Sequence, residues 1–135
     1  MHIAVNSFSS SALDMLDSHG KAAPGSAYFG RERVRLSRLD TLAADYLQAD
    51  SVSFVKIDTQ GYEDKVLNGA TNLLGRASGL QLELLFAPLY DEQQLFDVLV
   101  EQLRAAGFSI WAIWPGLCDP DTGRMLQVDA IFFRE

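Results

Sequence analysis

The densest run of reactive side chains is Asp58-Thr59-Gln60-Gly61-Tyr62-Glu63. It follows Val52-Ser53-Phe54-Val55-Lys56-Ile57, a mostly apolar run of the kind that forms a strand covered on both faces. A carboxylate at the carboxyl end of such a strand, here Asp58, can orient a substrate hydroxyl, accept its proton, hold a cation or cap the next helix. Gly61 lets the backbone take positive φ or approach a ligand closely. Glu83 is the second candidate, because it stands inside the apolar run Leu80 to Phe86, where a charge is costly unless it is paired or faces a cleft. The hydroxyls of Ser9, Ser10 and Ser11 could line a polar pocket, although serine-rich stretches also serve as plain connectors. No metal is expected. Asp58 and Glu83 are two oxygen donors from different strands, and one cysteine, Cys118, with two histidines, His2 and His19, draws no zinc cluster. His19 lies between breakers and is expected in a solvated loop. Trp111 and Trp114 read as strand residues, one or both buried.

The elements that would position these groups are legible from about Arg33 onward. Val34 and Leu36 alternate with polar residues, the pattern of a half-buried strand. Leu39, Leu42, Ala43, Tyr46 and Leu47 form an amphipathic helical stripe, with Asp40 placed as its N-cap. After the strand Val52 to Asp58 and the turn Thr59-Gln60-Gly61, the residues Val66, Leu67, Ala70, Leu73 and Leu74 predict a second helix ending near Gly75. A strand over Leu80 to Phe86 and a helix through Leu95, Phe96, Leu99, Leu103 and Ala106 follow, the helix stopping at Gly107. Phe108 to Trp114 and Val128 to Phe133 then read as a long antiparallel hairpin. This order predicts an α/β sheet, mostly parallel, with an antiparallel terminal hairpin. Ligands in such sheets bind beyond the carboxyl ends of the strands, where Asp58 and Glu83 fall.

The chain has 135 residues, the size of one domain, and 48% hydrophobic residues, enough for a core without disulfides. We divide that single domain into a loop-rich segment, 1–32, and an α/β core, 33–135. Eleven basic against eighteen acidic residues give a net charge of -7, which argues against nucleic acid or an anionic membrane as partner. The one basic concentration is Arg31, Arg33, Arg35 and Arg38, whose alternate spacing through Arg35 fits one solvated strand face or a phosphate contact. No run of about 18 apolar residues occurs and the N-terminus lacks a secretion signal, so a cytoplasmic location is the default expectation. The D-x-x-G fragment from Asp58 to Gly61 also follows a strand in nucleotide triphosphatases, but the chain has no G-x-x-x-x-G-K-[ST] to cradle phosphates.

Three runs together carry a family resemblance. Val34-Arg35-Leu36-Ser37-Arg38-Leu39-Asp40-Thr41-Leu42, Phe54 through Glu63, and Val66-Leu67-Asn68-Gly69-Ala70, followed by Leu82-Glu83, resemble the FkbM-type methyltransferases. Those proteins pair a t-L-D-x-L segment with K-I-D-x-[EQ]-G-x-E-x-x-V-L-x-G-A and a strand containing glutamate. Ser10-Ser11-Ala12-Leu13 loosely matches a serine pair upstream. The resemblance implies part of a class I, Rossmann-like methyltransferase sheet and transfer of a methyl group from S-adenosylmethionine to a small-molecule acceptor, commonly through a hydroxyl oxygen. It implies Asp58 as the group that positions or deprotonates the acceptor and Glu83 as a second polar anchor. Ser10, Ser11, Gln60 and Gly61 are then expected near the cofactor.

The family's glycine-rich turn and the acidic residue that hold the cofactor's methionine and ribose portions are not found among these residues. The resemblance therefore implies the C-terminal portion of the domain. A noncatalytic interaction or assembly module derived from the same fold is the alternative. In the family's full sheet, the strand ending at Asp58 would pair with a strand that this chain does not supply. Two outcomes are expected for that edge: self-association through Val52 to Ile57, giving a homo-oligomer, or cover by an N-terminal strand near Ile3 to Asn6.

Overall fold

The computed structural model describes all residues from Met1 to Glu135. The apolar runs of the second half become four strands of one sheet: β3 (Phe54–Ile57), β4 (Gly79–Leu85), β5 (Phe108–Pro115) and β6 (Gln127–Arg134), in the order β3-β4-β6-β5. Strands β3 and β4 are parallel, whereas β4 with β6 and β6 with β5 are antiparallel. The expectation of a mostly parallel sheet is thus corrected. The terminal hairpin does not stack on an edge; its second strand inserts beside β4, so only one of the three pairings is parallel.

The inward face of this sheet carries Leu80, Leu82, Leu84, Val128, Ala130 and Phe132, all buried. Helix α5 (Phe96–Ala105) covers them with Leu99, Val100 and Leu103, its stripe ending at Gly107, where φ is +87°. Leu67, Ala70 and Leu74 complete the core from the segment between β3 and β4. That segment is two helices, α3 (Glu63–Asn68) and α4 (Thr71–Arg76), rather than one.

The break at Gly69-Ala70 has a partner. Asp40, in the first turn of α2 (Leu39–Tyr46), donates its backbone N–H to the Gly69 carbonyl at 2.9 Å. Its carboxylate accepts the N–H groups of Asn72 and Leu73 at 3.1 and 2.9 Å. Asp40 therefore caps α4 and not its own helix, whose N-cap position is Arg38 and carries no side-chain cap.

The first 32 residues hold more structure than a loop: β1 (His2–Ala4) and β2 (Tyr28–Arg31) form an antiparallel pair, with α1 (Asp17–Ala22) between them. Strand β1 thus pairs with β2 and leaves the outer edge of β3 open, which overturns the expected N-terminal cover for that edge. Residues 32–38 run exposed and belong to no strand. The half-buried strand expected at Val34 and Leu36 does not form because no neighbouring strand takes up its backbone groups.

The outward face of the sheet is covered only near the carboxyl end of β4. There Leu85, Leu89, Tyr90 and Leu126 make a small second core with Leu13 and Met15. Farther along, Phe54, Phe133 and Trp111 pack as tilted rings at 5.8 and 4.8 Å between centroids. Trp111 and Trp114 are both exposed, contrary to expectation, because nothing lies over that part of the sheet. No helix is long and apolar enough to cross a membrane.

Candidate functional site

The parallel register pairs Ile57 with Leu82, so Asp58, just past the end of β3, comes to lie beside Glu83, which is still within β4. Two carboxylates at that spacing repel unless something neutral or cationic separates them. Gln60 does so: its Nε2 donates to Asp58 Oδ1 at 2.9 Å and to Glu83 Oε2 at 3.0 Å. The side chain can reach both because the chain reverses sharply after Thr59, with φ of +54° at Gln60 and +94° at Gly61. Buried Glu63 closes the turn, its Oε1 accepting the Thr59 N–H at 2.8 Å and the Thr59 hydroxyl at 3.0 Å. Burial raises the Glu63 pKa, an effect that these hydrogen bonds only partly offset.

The two carboxylates differ in environment. Asp58 is partly exposed; desolvation pushes its pKa up, but hydrogen bonds from the Lys56 ammonium, 2.7 Å away, and from Gln60 bring it net below the ordinary value. It is an anion at neutral pH. Glu83 is buried, and its remaining oxygen accepts the Gln127 amide of β6. Burial first, then the charges of Asp58, Glu63 and Asp129, push its carboxyl up to about 8. Burial and these neighbouring charges together outweigh the amide donors that favour its anion.

A cleft of about 730 Å³ opens beside Asp58, between the N-terminal serines, residues 36–42 and α3. That volume is typical of small-molecule sites. Asp58, Thr59, Ser10 and Ser11 form part of its polar wall, Leu36, Leu39 and Leu42 supply apolar lining, and Lys65 and Tyr62 also reach it. Of the residues singled out in the sequence, the structure brings Asp58, Ser10 and Ser11 to this cleft. Glu83, Gln60 and Gly61 stand behind it. The two serines also differ. Ser11 spends its proton on the Gln60 carbonyl at 2.6 Å, whereas the Ser10 hydroxyl accepts the Ala4 N–H at 3.0 Å and keeps its proton to donate.

Two further residues join the site from behind. The Tyr90 hydroxyl donates to Gln60 Oε1 at 2.8 Å, and its ring packs against the Cα of Gly61. A Cβ on Gly61 would lie 2.9 Å from the Tyr90 Cβ, so both the positive φ and this contact require glycine there. His19, expected to be solvated, is buried in α1, with Nε2 3.0 Å from the Tyr90 hydroxyl and Nδ1 3.2 Å from Ser26 Oγ. Burial lowers its pKa, so the ring is neutral. Burial likewise raises the Tyr90 phenol well above its ordinary value. Neither residue has a sequence signal of its own: His19 stands among breakers and Tyr90 in a loop after β4.

The family model described as the methyltransferase FkbM domain matches residues 1–110, which include the cleft, the Asp58 turn, Glu83 and Tyr90. The chain matches no curated protein and no solved structure. With a match extending over most of its length and through every wall of the cleft, the chain belongs to the FkbM methyltransferase domain family.

Proposed function

We propose that this chain forms the acceptor side of an S-adenosylmethionine-dependent methyltransferase, acting on a hydroxyl oxygen of a small molecule. One observation carries the reading: Asp58 is ionised, braced by Lys56 and Gln60, and opens on a cleft of small-molecule size at the carboxyl end of a strand. On this reading the four-stranded sheet corresponds to the last four strands of a class I, Rossmann-like methyltransferase sheet.

The lining suits the cofactor's chemistry. An apolar stripe fits an adenine ring, an anionic Asp58 fits positive charge, and Ser10 has a free donor for a polar tail. Bound S-adenosylmethionine supplies an activated methyl group on a sulfonium sulfur. What remains for this chain is to align the acceptor oxygen and take away its proton. Asp58 accepts the hydroxyl hydrogen bond and draws electron density onto the oxygen. Glu83 contributes through Gln60 rather than by contact with the acceptor. Ser10 and Ser11 hold the cofactor side of the cleft, and Gln60 with Gly61 sets the turn that aims Asp58.

Calorimetric titration of the chain with S-adenosylmethionine and with S-adenosylhomocysteine tests the reading. Saturable binding at micromolar affinity is expected for both. No heat of binding with either would overturn the reading and leave a noncatalytic assembly module of the same fold.

A further inference from the structure

The Gln60 carboxamide has all of its polar capacity on one side matched to acidic partners and on the other to a phenol. Nε2 faces Asp58 and Glu83, and Oε1 faces Tyr90. Flipping the amide would set its oxygen against the Asp58 carboxylate and its N–H groups against a hydroxyl proton. The arrangement also fixes the protons behind it. Tyr90 has one hydroxyl proton and two acceptor-only oxygens near it, Gln60 Oε1 at 2.8 Å and the Ser9 carbonyl at 3.5 Å, so the proton goes to the much nearer Gln60. The Tyr90 oxygen must then accept from His19 Nε2, which makes Nε2 the protonated nitrogen and leaves Nδ1 to accept from Ser26. Donors run in one direction, from Ser26 through His19 and Tyr90 to Gln60 and on to the carboxylates. Hydrogen bonds aligned in this way polarise one another in the same sense. Tyr90 holds the backbone of the turn as well, since its ring fills the space where a side chain on Gly61 would stand.

We infer that Tyr90, held in place by His19, is a positioning residue for Asp58: it locks the Gln60 carboxamide and thereby aims the Asp58 carboxylate into the cleft. The use of Asp58 on an acceptor rests on the function proposed above, but the lock itself does not. Charged groups that face Asp58 in addition to Gln60 are Lys56 on its own strand and Glu83 across the sheet, and Asp129 of β6 lies beyond them. The variant Tyr90→Phe leaves all of these in place, along with the ring, and removes one oxygen.

The test is NMR on the whole chain without cofactor or acceptor. In the wild type, the Gln60 side-chain amide protons are expected to exchange slowly, with the Tyr90 hydroxyl proton visible and close to Gln60. In Tyr90→Phe, amide exchange at Gln60 should quicken about five-fold, the loss of one hydrogen bond. The Asp58 carboxyl titration should move upward toward that of Gln60→Leu, in which the amide is gone. A purely structural Tyr90 would lower the melting temperature and leave the Asp58 titration where it is, which would overturn the inference. A wild-type spectrum with no protected Tyr90 hydroxyl would do the same without any variant. Where methyl transfer is measured, Tyr90→Phe should lower kcat several-fold with the KM for cofactor unchanged. Failure of the wild type to bind cofactor would count against the proposed function alone, because the titration and exchange readouts need neither ligand.

Discussion

The carboxylate of Asp40 accepts the backbone N–H of Leu73 at 2.9 Å, so a residue in the first turn of one helix caps another helix more than thirty residues away. Because Asp40 also donates its own N–H to Gly69, this pair of contacts anchors residues 36–42, one wall of the cleft, to the break between α3 and α4. Asp40→Ala should lower stability by about 1–2 kcal/mol, the usual worth of a cap. Chemical denaturation checks the magnitude, and an unchanged midpoint would mean that water replaces the carboxylate at α4.

Gly61→Ala should cost about 2–4 kcal/mol, since it adds a side chain at positive φ against a ring that is itself buried. The obstacle is the Tyr90 Cβ, which sits on the backbone and has little freedom to withdraw. A variant as stable as the wild type in urea would show that the Asp58 turn relaxes easily and does not hold its residues rigidly.

The titration of Glu83 predicts an unusual pH dependence. Its carboxyl goes from an ordinary value of 4.5 to about 8 on folding, so between those limits the folded chain holds a proton that the unfolded chain has lost. Stability therefore falls as pH rises through that window, by up to about 1.4 kcal/mol per pH unit. His19 works in the opposite sense. Its pKa is lowered from 6.5, so the unfolded chain takes up a proton first, and stability falls as pH drops below about that value. The Glu83 effect should thus be clearest between about 6.5 and 8. Glu83→Gln should remove most of the slope there and make the chain more stable than the wild type at pH 8. Urea melts at several pH values decide it; wild-type stability rising with pH over that window would refute the assignment.

Asp58→Asn should reduce methyl transfer by about 100-fold or more while cofactor affinity changes far less, because its proposed role is to align the acceptor and remove its proton. Lys56→Met should act in the same direction but more weakly, because it removes one of the two side-chain hydrogen bonds that hold the Asp58 carboxylate in place. Unchanged turnover in Asp58→Asn would take this residue out of the mechanism.

The open outer edge of β3 presents unpaired backbone groups beside the exposed Val52 and Phe54. Such edges pair with other chains, and we propose a second copy as the partner. Light scattering should show mass rising with concentration, and Val52→Lys should suppress the rise. A monomer at every concentration whose Val52 to Ile57 amides exchange freely would contradict this.

Much of the site's content was legible in the sequence, and its arrangement was not. Asp58 could be placed at a strand's carboxyl end and Glu83 inside a strand because a run of apolar residues with one carboxylate is a local pattern, readable at a period of two. Gly61 could be marked as a turn because the demand for positive φ is local as well. The helix over Phe96–Ala105 and the terminal hairpin were legible for the same reason. Local patterns misled where the outcome depended on a distant partner. Val34 and Leu36 alternate like a strand, yet no strand lies beside them. Asp40 sits where a cap of its own helix would sit, yet its carboxylate serves α4. A single stripe from Val66 to Leu74 hides a break that the distant Asp40 caps.

The sequence by itself determined which residues are ionisable, where the longer strands and the long helix fall, and which family motif surrounds Asp58, because these depend on side-chain type and short spacing. The tertiary structure alone decided that Asp58 and Glu83 stand side by side on neighbouring strands, that Gln60 bridges them, and that Tyr90 and His19 stand behind Gln60. Those relations rest on the parallel register of β3 with β4 and on an N-terminal segment folded over the end of the sheet. Contacts between residues that are 23 to 71 positions apart are set by how whole elements pack, and no window of sequence contains them.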